Sequence, residues 1–188
     1  MRIKWFSLIR ITGLLLVLLY HFFQTLFPGG FFGVDVFFTF SGFLITSLLL
    51  EEFGQKGKID VLGFFRRRFY RIFPPVVLMV LVVMPFTFLV RQDYVAGIGG
   101  QIAGVLGFMT NFYEMLTGGS YESQFIPHLF VHNWSLAVEV HYYVLWGLAV
   151  WFLAKRAKTS GQLRGMIFLL SSATFMVSFL SMFIGSFI

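Results

Sequence analysis

Apolar residues run in long blocks along this chain, rather than alternating as in a strand or lying on the narrow stripe of a surface helix. Residues 5–27 form a first block, carrying Arg10 and His21; residues 31–50 form a second, carrying Asp35. Further blocks cover 72–90, 134–153 and 166–188. Each approaches the ~20 residues that carry a helix across the hydrocarbon of a bilayer. The intervals are short and polar. Pro28-Gly29-Gly30 reads as a tight turn, and 51–71 is a polar segment with six basic residues. Pro74 and Pro75 fall in the opening turn of the third block, where proline is tolerated. Residues 95–116 are apolar but carry Gly97, Gly99, Gly100, Gly104 and Gly107. That stretch reads either as a glycine-rich re-entrant segment or as a further span. The expected fold is all-α: a polytopic transmembrane helix bundle of about five spans plus a re-entrant segment, one membrane domain over 1–188 with no soluble domain.

Composition supports lipid as the solvent. Of 188 residues, 58% are hydrophobic and 12% charged, where soluble domains carry about a quarter charged residues. One core of this size could not hide so much apolar surface. The net charge of +6 does not point to nucleic acid, because the charges sit in short loops between apolar spans. The first block is too long for a signal peptide and lacks a small-x-small cleavage site after it, so it reads as a retained helix. With no cysteine, thiolate nucleophiles and thiolate metal ligands are excluded. Basic residues favour the cytoplasmic side. Twelve of the fourteen (all but Arg10 and Arg91) sort to one side if 95–133 makes no net crossing. The expected location is the cell membrane, multi-pass, with the N-terminus cytoplasmic.

Ionisable groups in hydrocarbon are costly, and each is a candidate for function. Arg10 lies in the inner half of the first span, and His21 about 16 Å further along the helix. Asp35 and Glu139 fall at the depth of His21, while Arg68 and Arg71 lie towards the cytoplasm. A histidine flanked by carboxylates can be held in one tautomer and act as a general base, and an arginine cluster suits phosphates. Each residue also has a plainer reading. His21 is a packing residue, Arg10 snorkels, Asp35 caps or pairs with a helix, and Arg66-Arg67-Arg68 anchors topology. His128 and His132 share i, i+4 spacing but lack a third ligand, so no metal site is expected. The run Gly97-Ile98-Gly99-Gly100 follows no strand and is not a dinucleotide loop.

The stretch from Gly33 to Thr46, GVDVFFTFSGFLIT, resembles the signature of the acyltransferase family 3 membrane O-acyltransferases. Arg10, ten residues and then His21 resemble that family's first-helix motif. Arg68-Phe69-Tyr70-Arg71 resembles its cytoplasmic Arg-x-x-Arg segment, and Trp134-Ser135-Leu136-Ala137-Val138-Glu139 its Trp-Ser-Leu…Glu element. The family often follows that Glu with Glu and Gln; here Val140 and His141 stand there.

The resemblance implies transfer of an acyl group, usually acetyl, from cytoplasmic acyl-CoA to a hydroxyl of a cell-surface glycan or lipid. Acyl-CoA is then a co-substrate, with no bound cofactor. Arg68 and Arg71 hold the CoA phosphates and Arg10 lines the channel. His21 is general base or transient acyl carrier, oriented by Asp35 or Glu139. Trp134 and Ser135 contact acceptor or donor. It also implies that the chain holds only about half of the family's membrane domain, with a separate chain supplying the missing helices. The competing readings are an inactive truncated remnant and a transporter whose buried charges line an ion path.

Overall fold

A computed structural model of the chain describes residues 4–23, 25–89, 95–117 and 128–186, and every regular element among them is helical. The helices are α1 (Lys4–Phe22), α2 (Gly33–Lys56), α3 (Val61–Val83), α4 (Ile98–Leu106), α5 (Thr110–Thr117), α6 (Trp134–Ala154) and α7 (Ser160–Gly185). Short 3₁₀ turns at Pro28–Phe32, Met84–Leu89 and Val131–Asn133 precede α2, extend α3 and precede α6. Four stretches are long and apolar enough to cross a membrane: Pro28–Lys56, Val61–Thr87, Val131–Ala154 and Ser160–Gly185. The fifth expected span corresponds to α1, whose apolar part, Ile11–Phe22, is shorter than the other four.

Local chemistry sets the boundaries. α2 stops where Gly57 adopts a left-handed conformation (φ 66°) and returns its N–H to the Phe53 carbonyl, a conformation that suits glycine. Asp60 caps α3 by accepting from the Gly63 N–H at 3.0 Å. Thr159 caps α7 through the Gln162 N–H at 3.2 Å. The Asp60 cap corrects one expectation. Helix α3 begins at Val61, not near residue 72, so the arginine-rich segment is helical and its side chains sit at fixed heights. Pro74 and Pro75 therefore lie inside α3 rather than in its opening turn. Membrane helices tolerate this where neighbouring groups satisfy the released carbonyls. Helix α7 likewise starts six residues before the expected block, and α1 ends at Phe22 rather than at residue 27.

The glycine-rich stretch is not one spanning helix. It divides into α4 and α5 around Gly107-Phe108-Met109, with Phe108 at φ 53°. A nine-residue helix is about 14 Å long, well short of the ~30 Å hydrocarbon layer. The glycines admit Tyr113: a Cβ on Gly100 would lie 2.7 Å from its ring.

Two apolar clusters hold the bundle. Ile45, Leu49, Phe64, Tyr143, Val150 and Leu163 join α2, α3, α6 and α7. Val76, Val80, Val105 and Phe130 join α3, α4 and the approach to α6. Elsewhere large side chains such as Leu14, Phe43, Leu145 and Phe168 point outward, as a lipid-facing surface requires. Polar contacts fasten α2 to α6. The Trp146 indole N–H donates to Thr46 Oγ1 at 2.9 Å, and Ser41 donates to Glu139. Such contacts bind membrane helices that gain nothing from hydrophobic burial against one another.

The α1–α2 junction depends on close backbone approach. A Cβ on Gly33 would lie 2.5 Å from the Gly13 carbonyl oxygen, and one on Gly30 2.4 Å from that of Leu16. Gly33→Val is therefore expected to separate α1 from α2, at roughly 1–3 kcal/mol. A lowered thermal midpoint in detergent would report it. Gly29→Ala, whose Cβ meets nothing nearer than 3.9 Å, is the matched control and should leave the midpoint in place.

Candidate active site

The close α1–α2 packing brings His21, near the end of α1, over the start of α2. A cavity of about 490 Å³ opens there, lined among others by Tyr20, His21, Asp35, His132, Trp134 and Ser135. His21 Nδ1 lies 2.8 Å from the Val17 carbonyl oxygen. A carbonyl only accepts, so Nδ1 carries the proton, and in the neutral ring Nε2 is the basic end. Tyr20 meets the imidazole edge-on, with ring centroids 5.6 Å apart. Asp35 stands in the first turn of α2, where the helix dipole favours an anion. Trp134 makes an edge contact with Phe38, and Ser135 Oγ donates to the His132 carbonyl at 3.3 Å.

The structure adds His132 to this set. Its ring centroid is 5.1 Å from that of His21, at an interplanar angle of 73°. The i, i+4 pairing with His128 does not describe its surroundings. His128 turns instead to Glu114, with Nδ1 2.8 Å from Oε2, and to the Tyr113 ring. That pair ties the approach to α6 onto α5. No group of three histidine or carboxylate residues among the described residues is arranged to hold a metal ion.

Glu139 does not line the cavity around His21. It sits five residues, about 7.5 Å, further along α6 from Trp134. There its Oε1 accepts short hydrogen bonds from both Ser41 and Tyr143. The Tyr143 ring in turn lies under Arg68, whose Cζ is 5.6 Å from the ring centroid and 5.7 Å from that of Phe64, within cation–π range. A continuous set of contacts thus runs Ser41–Glu139–Tyr143–Arg68 through the middle of the bundle.

Arg68 and Arg71 line a second cavity, of about 390 Å³, with Glu51, Glu52, Lys56 and Arg67. Four cations face two carboxylates there. Glu52 is already engaged by Lys56 at 3.1 Å and Arg67 at 3.3 Å, and Glu51 accepts from Gln55 at 3.2 Å. The cavity therefore keeps an excess of positive charge. Helix α2 borders both cavities, with Asp35 at one and Leu49 at the other, about 20 Å apart along its axis. Arg10 lies on α1, but its side chain falls outside the described residues.

The comparisons with known proteins point one way. A family model described as an acyltransferase domain matches residues 3–187. The O-acetyltransferase OatA of Staphylococcus aureus strain NCTC 8325 is 34% identical over 150 residues, 80% of this chain and 25% of that protein. A protein of strain COL, provisionally named an O-acetyltransferase, is 35% identical over 136 residues, 72% of this chain and 22% of its own length. The chain thus spans about a quarter of the length of these relatives. No solved structure matches it significantly.

Proposed function

We propose that this chain, which belongs to the acyltransferase domain family, takes an acyl group, acetyl in the first instance, from cytoplasmic acyl-CoA and passes it to a hydroxyl of a cell-surface glycan or lipid. One observation carries the reading. Helix α2 lines both a basic cavity suited to phosphates and a histidine cavity suited to proton transfer, and α6, which lines the second, reaches Arg68 of the first through Tyr143. CoA phosphates occupy the basic cavity, held by Arg68 and Arg71. The pantetheine arm runs along the bundle past Tyr143 and Glu139. In the histidine cavity the acceptor oxygen attacks the thioester carbonyl, and His21 Nε2 takes its proton. The new C–O bond forms as the C–S bond breaks, and the departing sulfur takes up a proton as the CoA thiol. Asp35 steadies the imidazolium that forms, and Trp134 offers a flat face to the acceptor.

Arg71→Ala is expected to weaken CoA binding about tenfold. The loss corresponds to ~1.5 kcal/mol for a charge-assisted contact, read by calorimetry on the purified protein. The helical content should not change. If Arg71→Ala binds CoA as the unaltered chain does, the basic cavity is a topology anchor and the donor assignment fails.

The reading also sets an orientation: the basic cavity inside, the histidine cavity outside, the N-terminus cytoplasmic. Because the chain has no cysteine, single cysteines report this cleanly. Leu26→Cys, on an exposed site between α1 and α2, should react with an impermeant maleimide in intact cells. Gln55→Cys and Lys158→Cys should react only after permeabilisation. Labelling of position 158 in intact cells would reverse the assignment of α6 and α7.

A further inference from the structure

A third cavity lies in the gap between the two apolar clusters. It measures about 240 Å³ and is walled by Phe69, Leu106, Phe108 and Val144, with Arg68 and Tyr143 along one side. Arg68 borders this space and the basic cavity alike, so the two are neighbours across one guanidinium. The walls from α3, α4 and α6 are otherwise aliphatic or aromatic. Its size is below the ~300–1,000 Å³ of sites for drug-sized ligands, which suits a short chain and excludes a nucleotide.

One wall residue is held at a cost. Phe108 has φ 53°, a left-handed conformation that a bulky side chain rarely adopts. It sits in the turn between α4 and α5, where the Met109 N–H returns to the Gly104 carbonyl at 2.7 Å. The ring contacts Phe73 edge-on. Backbone strain of this kind persists where the surroundings enforce it, and it concentrates at ligand sites.

We infer that this cavity receives the acyl chain of the thioester donor while its phosphates lie in the basic cavity, with Arg68 spanning the two. This rests on the donor reading above and extends it. The chain carries a docking place for acyl groups longer than acetyl, built from the α4–α5 turn against α3 and α6. An acyl group resting there is parked beside the polar contacts of Glu139 and Tyr143, short of the histidine cavity.

Binding to the purified chain in nanodiscs tests this, with CoA, acetyl-CoA and hexanoyl-CoA as probes. Each methylene that enters the cavity should tighten binding about fourfold, so hexanoyl-CoA should bind at least tenfold more tightly than CoA. Val144→Phe fills the space from a half-exposed position on α6. It should abolish that increment and leave CoA affinity unchanged. A hexanoyl-CoA carrying a terminal diazirine should label Leu106 or Phe108, and excess CoA should suppress the labelling. Affinity independent of chain length, an increment that survives Val144→Phe, or labelling elsewhere would overturn the inference while leaving the donor site standing. Labelling of the same residues by a diazirine phosphatidylcholine, unaffected by CoA, would identify a membrane lipid as occupant and overturn it too. If the unaltered chain binds no CoA at all, the donor reading itself falls.

Discussion

The His21→Gln protein is expected to insert, fold and bind acyl-CoA as the unaltered chain does, and to lose acyl transfer by about 10²-fold or more. Glutamine keeps a donor for the Val17 carbonyl, which His21 Nδ1 faces at 2.8 Å. A histidine needed only for that contact, or for packing against Tyr20 and His132, would be replaced with little effect. A base cannot be replaced in this way, because an amide does not take up a proton near neutral pH. The comparison therefore separates a structural from a chemical role within one substitution. Transfer of radiolabelled acetyl to acceptor is the measurement, with CoA affinity as the control. Near-normal transfer by a folded His21→Gln protein would remove the residue from the mechanism.

Glu139→Ala should be the most destabilising of the substitutions considered. It leaves the hydroxyls of Ser41 and Tyr143 without the oxygen that both address, in a region where water does not compensate. An orphaned buried group costs roughly 1–3 kcal/mol, and two of them ~2–6 kcal/mol. Ser41 belongs to α2, which borders both cavities, and Tyr143 to α6, which borders the histidine cavity, so the loss loosens the packing of α2 on α6. A fall in thermal midpoint, together with weaker CoA binding through Tyr143 and Arg68, is the expected result. Glu139→Gln retains a carbonyl acceptor and should recover most of the stability. If Glu139→Ala melts at the unaltered temperature, the central contacts do not hold the bundle.

The large-scale architecture was legible because block length and apolarity are one-dimensional properties. Four spans and their order follow from 31–50, 72–90, 134–153 and 166–188, although α3 begins eleven residues before its block. The shifts have a common cause. Hydropathy marks where a helix is lipid-compatible, whereas caps mark where it begins. Asp60 and Thr159 start α3 and α7 within polar sequence, and Arg66 to Arg71 continue a helix because arginine is a good helix former. The division of 95–116 into α4 and α5 turns on the backbone of Phe108, and nothing in that side chain announces a left-handed conformation.

The grouping of the candidate residues was legible where they share a helix or a motif. His21 on α1 and Asp35 on α2 are joined by a short turn, and Trp134 and Ser135 carry a recognisable element. His132 was considered only for its spacing from His128, although it lies two residues before the start of that element. Its neighbour is His21, 111 positions away, and no local pattern encodes that contact. The hydroxyls on Glu139 were hidden for the same reason. Ser41 lies in the GVDVFFTFSGFLIT stretch and Tyr143 one helical turn after Glu139, yet only the crossing of α2 and α6 makes them meet. The depth assigned to Glu139 from the sequence set it level with His21, whereas the structure sets it about one and a half turns deeper along α6.

On the function proposed for this chain, donor and acceptor are served from opposite sides of one helical bundle. Proteoliposomes of defined orientation test this most directly, with radiolabelled acetyl-CoA on the side of Arg68 and Arg71 and a soluble peptidoglycan fragment on the side of His21. Acetylated fragment is expected on the His21 side, dependent on His21, with the CoA product retained on the arginine side. Label on the fragment only when acetyl-CoA is supplied on the His21 side would contradict it.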